Sequence, residues 1–264
     1  MPRYHNPKRK RGDTALSLLA YASGYYTPNT LFPTCSCNFQ FTSAIITETD
    51  FSISLPKMFL VFEGVDGSGK STQAGLLAEH LREVRGLDVI LVREPGGTEL
   101  GDRLRDLLLD PRSGEMAPET ELFLFMAARS HLVRTRILPA LRAGQVVISD
   151  RFIWSSAVYQ GLAAGCEPRE ILRIGRLAAP GLTVSRTFLI DLDPDLCFTR
   201  VVAPNRMEGR GIAFQRRVRK GFLELAKKYE ARFAVIDGRG TEKEVHERVL
   251  SKLPVRGWST CSRG

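Results

Sequence analysis

Apolar residues in this chain fall into short unbroken runs, separated by longer stretches of mixed polarity. Five of the runs, FLVFE (59–63), DVILVRE (88–94), QVVIS (145–149), TFLIDL (187–192) and FAVID (233–237), have the length and composition of strands buried on both faces. Between them the apolar positions recur at helical spacing. Helices are predicted over 70–86, 99–110 (stopped by Pro111), 118–142, 152–164, 168–178, 194–202, 212–230 and 241–253, with a polar loop at 203–211. Strand–helix alternation of this kind predicts an α/β fold, a five-stranded parallel sheet with helices on both faces. The domain is placed at residues 58–254, with a short lid at about 203–213 and a tail at 255–264.

Residues 1–57 do not share the pattern. They are rich in Ser, Thr, Pro and Asn and show no sustained period of 3.6 or 2. They are expected to be a disordered extension, or upstream sequence included by a wrong start, with Met58 opening the first strand. Two sharper readings stand beside this one. KRKRG (8–12) has the composition of a nucleic-acid or nuclear address. Residues 8–23 mimic a secretory signal ending at Ala20-Tyr21-Ala22, but the apolar part holds Ser17 and is barely long enough.

Length and composition narrow the function classes. Beyond its first fifth, the 264-residue chain is the size of one ordinary α/β domain, and 43% hydrophobic residues supply a real core. The net charge is +9, of which residues 1–57 contribute +3 and the remainder +6. Basic excess suits nucleic acid or phosphorylated small molecules equally. The arginines after residue 90 lie near motif positions rather than in one block, which favours small molecules over nucleic acid. Five cysteines, Cys35, Cys37, Cys166, Cys197 and Cys261, form neither a disulfide framework nor a paired metal spacing, the pattern of thiols in a reducing cytosol. No apolar run is long enough to span a membrane. The expected location is cytoplasmic.

The first strand runs straight into FEGVDGSGKSTQ (62–73). Gly64, four residues, then Gly69-Lys70-Ser71 is the spacing of a phosphate-binding loop, and a strand before with a helix after is the context such a loop requires. Backbone N–H groups of Gly64, Val65, Asp66, Gly67, Ser68 and Gly69, joined by Lys70, Ser71 and Thr72 at the helix N-terminus, are expected to cradle the phosphates of ATP. Lys70 would reach the β- and γ-phosphates and Ser71 would ligate Mg²⁺. Asp150 follows QVVIS at the carboxyl end of its strand. It would orient Mg²⁺ or its waters if that strand neighbours the first, and it is otherwise a strand-capping Asp in a turn.

Five segments, in this order, resemble the thymidylate kinase family: FEGVDGSGKST, REPGGT (93–98), LFLFMAAR (122–129), DRFIWSSAVYQG (150–161) and FQRRVRKGFLELA (214–226). The match runs from Met58 to the last helix, and REPGGT with Val158-Tyr159-Gln160-Gly161 is more specific than the glycine loop. The resemblance implies the P-loop kinase fold, transfer of the γ-phosphoryl of ATP to dTMP, Mg²⁺ as cofactor and a homodimer. It implies that Phe125 and Arg129, four apart on one helix face, hold thymine; without the other motifs, a core Phe beside a solvated Arg is the better reading. Arg105 and Arg151 would clamp the acceptor phosphate, which bidentate guanidinium suits. For Arg105 a solvated helix face is the competing reading.

By the same resemblance Asp66 would face the deoxyribose 3′-hydroxyl and Glu94 the acceptor's metal or water shell. Ser155, Ser156 and Gln160 would surround the base, and Tyr159 would stand where a 2′-hydroxyl would go. No general base is called for, because the nucleophile is an ionised phosphate oxygen. The lid departs from the family's pattern, reading Asn205-Arg206-Met207-Glu208 where an acid commonly comes first, and Phe152 and Trp154 are unusual. Gly67 stands where some relatives carry a basic residue. Arg206 and Arg210, with Arg200 behind them, are then the candidates to cover the transferring phosphoryl, against a plain solvated loop. Two alternatives to this enzyme stay open: another small P-loop nucleotide kinase, and an ATP-binding module without dTMP turnover. A guanine-reading N-K-x-D segment of a nucleotide switch is absent.

Overall fold

All five expected strands form: β1 (Phe59–Glu63), β2 (Val89–Arg93), β3 (Val146–Asp150), β4 (Arg186–Asp191) and β5 (Phe233–Asp237). The computed structural model describes residues 58–198 and 205–254. Expectations placed on residues 1–57, on 199–204 with Arg200, and on 255–264 lie outside the described residues. The helices are α1 (Lys70–Glu83), α2 (Glu99–Leu109), α3 (Pro118–Leu132), α4 (Leu138–Arg142), α5 (Ile153–Ser156), α6 (Pro168–Ala178), α7 (Pro194–Phe198), α8 (Ile212–Lys228) and α9 (Glu242–Ser251).

The sheet order is β2-β3-β1-β4-β5 and every pair is parallel. β1 lies at the centre, where the winding of the sheet changes direction. Open α/β sheets hold their ligands outside the carboxyl ends of the strands at such a point. The register sets Phe62 beside Asp150 on one side and Phe188 on the other.

Successive side chains of β1 point to opposite faces. Leu60 and Phe62 pack with Leu77 and Leu81 of α1 and Val245 and Val249 of α9. Phe59 and Val61 pack with Leu132, Ile137 and Leu141 from the region of α3 and α4. A third cluster joins Trp154, Val158, Ile171, Phe214 and Phe222 beneath α5, α6 and α8. Both faces are therefore covered, which is why the strands read as continuous apolar runs.

Two expected helices are interrupted. Residues 118–142 form α3 and α4 with a π-helical segment, Val133–Ile137, between them. Pro139 has no amide to continue the ordinary bonding, so the backbone widens ahead of it. Residues 152–164 form only α5 and a second π segment, Ala157–Leu162, in which the Ala163 amide donates to the Val158 carbonyl at 2.8 Å. Tyr159 and Gln160 ride on that wider turn. Among the described residues no helix is long and apolar enough to cross a membrane.

Candidate active site

A cleft of about 870 Å³ opens at the carboxyl ends of the central strands. The glycine loop forms one part of its wall. At Gly64 (φ +145°) a Cβ would stand 2.6 Å from the Ile190 carbonyl oxygen, and at Gly67 (φ +76°) one would stand 2.7 Å from that of Cys197. Only glycine fits at either place. Lys70 lies across the loop and donates to the Val65 carbonyl at 2.7 Å. Burial, with the Arg151 cation adding to it, lowers the Lys70 ammonium to about 8 against the pull of Asp150, Asp66 and Glu63. The Ser71 hydroxyl, in the first turn of α1, donates to Oδ2 of Asp150 at the end of β3. Oδ1 of Asp150 is buried and has no hydrogen-bond partner.

Arg151 follows Asp150 with φ +74°, in the left-handed region that side chains with a Cβ rarely adopt. Its guanidinium donates to the Gly64 carbonyl at 3.0 Å and to Ser155 Oγ at 3.1 Å, and pairs with Asp66. The Tyr159 hydroxyl donates to Asp66 Oδ2 at 3.0 Å, and Gln215 Nε2 approaches the same oxygen at 3.3 Å. Burial works to raise the Asp66 carboxyl, but the Arg151 and Lys70 charges outweigh it and hold it below its ordinary value. Burial pushes the Tyr159 phenol well above its ordinary value.

The turn that carries Arg151 is pinned by Glu63, the last residue of β1. Its carboxylate accepts from the amides of Phe152 (3.0 Å) and Ser155 (3.1 Å) and from Ser155 Oγ (2.5 Å). These are amides of the first turn of α5, whose own N-cap, Phe152, supplies no side-chain acceptor. Glu63 fills that role from a neighbouring strand. Burial raises its carboxyl above the ordinary value.

Phe125 and Arg129, one helical turn apart on α3, both line the cleft. Phe125 is half-buried and Arg129 is 2% exposed, so neither the core phenylalanine nor the solvated arginine of the alternative reading is present. Arg129 donates through Nε to Glu94 at 2.6 Å, through Nη1 to Ser156 at 3.1 Å and the Met126 sulfur at 3.2 Å, and through Nη2 to the Phe152 carbonyl at 3.0 Å. Of five guanidinium hydrogens, one on Nη2 is left over. Burial pushes the Glu94 carboxyl up to about 7, with Arg129 opposing.

Arg105 donates to the Pro95 carbonyl at 2.9 Å and lines the cleft with Arg151. Burial and then the nearby Arg93 and Arg151 charges lower its guanidinium, the signature of cations gathered without enough anions. Arg206 and Arg210 sit elsewhere. Both pair with the fully buried Glu121, Arg206 at 2.7 Å, and Arg206 Nε also donates to the Leu108 carbonyl at 2.8 Å. Asn205, Met207 and Glu208 of the same segment border the cleft.

The cleft thus gathers most of the side chains singled out in the sequence: Asp66, Lys70 and Ser71 from the loop, Glu94 and Arg105 after β2, Phe125 and Arg129 on α3, and Asp150, Arg151, Ser155, Ser156, Tyr159 and Gln160 from β3 onward. Sequence reasoning missed Glu63, Glu121 and Gln215. Two signals were available: an acid closing an otherwise apolar strand, and the four-residue spacing of Glu121, Phe125 and Arg129.

A phosphate-cradling loop and a strand-end acid at the turning point of a parallel sheet, with a cluster of arginines in the same cleft, define a phosphotransferase of the nucleoside monophosphate kinase class. The sequence model of the thymidylate kinase family matches residues 62–249. A thymidylate kinase of Caldanaerobacter subterraneus subsp. tengcongensis is 43% identical over 197 residues, covering 74% of this chain and 94% of its own. One from Pelotomaculum thermopropionicum is 44% identical over 196 residues, covering 73% and 90%. The crystal structure of thymidylate kinase from Ehrlichia chaffeensis superimposes with a TM-score of 0.61 at 38% identity, covering 74% of this chain and 97% of that one. The chain belongs to the thymidylate kinase family.

Proposed function

We propose that this protein transfers the γ-phosphoryl group of ATP to dTMP, giving ADP and dTDP for dTTP and DNA synthesis. The observation that carries the proposal is the presence in one cleft of the Lys70 glycine loop, the Phe125–Arg129 pair and the arginines Arg105 and Arg151. Backbone amides of Gly64 to Thr72, with Lys70, bind the ATP phosphates. Phe125 stacks on thymine, and the remaining Nη2 hydrogen of Arg129 donates to a ring carbonyl. Ser155, Ser156 and Gln160 surround the base. Asp66 takes the 3′-hydroxyl, and Tyr159 fills the space of a 2′-hydroxyl, which favours deoxyribose. Glu94 stands by the acceptor phosphate's water shell.

An oxygen of the dTMP phosphate attacks the γ-phosphorus, and the bond from that phosphorus to the β–γ bridging oxygen breaks. The nucleophile is already ionised near neutral pH. The barrier is the approach of two anions, which Lys70, Arg105 and Arg151 offset while holding them in line. Arg206 and Arg210 cover the transferring group only after leaving Glu121. Ser71 Oγ and the unpartnered Asp150 Oδ1 are hard oxygen donors that fit Mg²⁺, an ion satisfied by one or two carboxylates plus substrate phosphates. When bound, Mg²⁺ neutralises charge on the β- and γ-oxygens.

The catalytic domain spans residues 58–254, and the expected location is the cytoplasm. A homodimer would bury Leu107 of α2, Phe123 of α3 and Leu177 of α6, exposed by 46%, 60% and 77% on helices that pack together. The test of function is ADP release across dTMP, UMP, CMP and AMP. Turnover is expected to be far greater with dTMP and lost in Lys70→Ala; equal turnover of all four would reject the thymine assignment.

A further inference from the structure

We propose that Glu121 sets the hydrogen-bond polarity of the base site by fixing which end of the Gln160 amide is left for the ligand. The inference rests on the acceptor reading above and adds the residue that enforces it. Glu121 lies in the first turn of α3, fully buried. Its Oε1 accepts from Arg206 and Arg210, and its Oε2 accepts from Gln160 Nε2 at 3.1 Å. Gln160 is itself fully buried, lines the cleft, and leaves its Oε1 without any hydrogen-bond partner.

The orientation of a glutamine amide follows from its neighbours. An ion-paired carboxylate accepts and never donates. Glu121 therefore forces Gln160 to turn its NH₂ inward and to keep its carbonyl oxygen as the free end. A buried acceptor left unmet is costly, so the site selects a base that brings a donor there. Thymine and uracil carry N3–H. Cytosine offers a lone pair at N3, and two acceptors would face each other. Before Arg206 and Arg210 leave for the transferring group they occupy Oε1, so that Oε2 alone faces Gln160 as the base enters. Glu121 touches no substrate in this scheme; it is a positioning residue acting through Gln160.

Glu121→Gln inverts the arrangement. Its Oε1 still serves the arginines, its Nε2 then faces Gln160, and the Gln160 amide turns to leave its NH₂ as the free end. The test is kcat/KM for dTMP, dUMP and dCMP. The preference for dTMP over dCMP is expected to fall about tenfold or more, while the preference for dTMP over dUMP, which share N3–H, stays within about twofold. In a Gln160→Met background, Glu121→Gln should cause no further change. Glu121→Gln/Arg210→Met keeps the local net charge of the native trio and serves if the single variant folds poorly, with a cooperative thermal melt reporting integrity and the dTMP/dCMP ratio, not the absolute rate, as the readout. An unchanged dTMP/dCMP ratio, or a parallel loss against dUMP and dCMP, would overturn the role of Glu121. A native enzyme with no preference for dTMP over dCMP would instead refute the acceptor reading.

Discussion

Lys70 shows most plainly how a single residue ties burial to chemistry. Enclosure lowers its ammonium to about 8 in the free protein, so it loses its proton as pH rises through that value. A bound triphosphate, being anionic, restores the proton. We therefore expect kcat/KM for ATP to fall above about pH 8 while kcat holds to higher pH, since the first reports the free enzyme and the second the complex. A shared break in both profiles would argue against it. Phe125→Ala should raise KM for dTMP by about tenfold or more, the scale of losing one base–aromatic stack, with KM for ATP unchanged. Lys70, Ser71 and Asp150 were legible in the sequence because their spacing to glycines and strand ends is local. Glu63 and Gln215 were not, because each acts on a partner far along the chain, Glu63 on the amides of Phe152 and Ser155 and Gln215 on Asp66.

Among the elements, the strand–loop–helix unit is the most constrained. Gly67 cannot exchange for a basic residue, because its backbone is left-handed and its Cβ position faces the Cys197 carbonyl. Gly67→Ala should cost about 1–2 kcal/mol from the backbone alone and weaken ATP binding; denaturant melts and ATP titration would show both. Gly67→Arg should not restore activity to an Arg206 or Arg210 variant. All five strands were readable because double burial makes each an apolar run. The π segments at Val133–Ile137 and Ala157–Leu162 were not, since helical periodicity over 118–142 and 152–164 is insensitive to one widened turn. At the C-terminal end, Thr241 and Glu244 form a reciprocal cap on α9. Thr241→Ala should lower stability by about 1 kcal/mol, a Tm drop of about 2–4 °C.

In the proposed function the molecule brings two anionic nucleotides to one edge of a parallel sheet, and the net +6 charge outside residues 1–57 suits that task. The topology was legible as a parallel sheet, but strand order was not, because nothing local to a strand states its neighbour. If the α2–α3–α6 face is an interface, Phe123→Lys should convert a dimer to a monomer in light scattering. The most direct measurement is a crystal structure of the protein with dTMP and a non-hydrolysable ATP analogue. Thymine should lie on Phe125, its phosphate against Arg105 and Arg151, with the triphosphate wrapped by Gly64 to Thr72 and facing it. A dTMP bound away from Phe125 and Arg151, or not opposite the triphosphate, would contradict the proposed function.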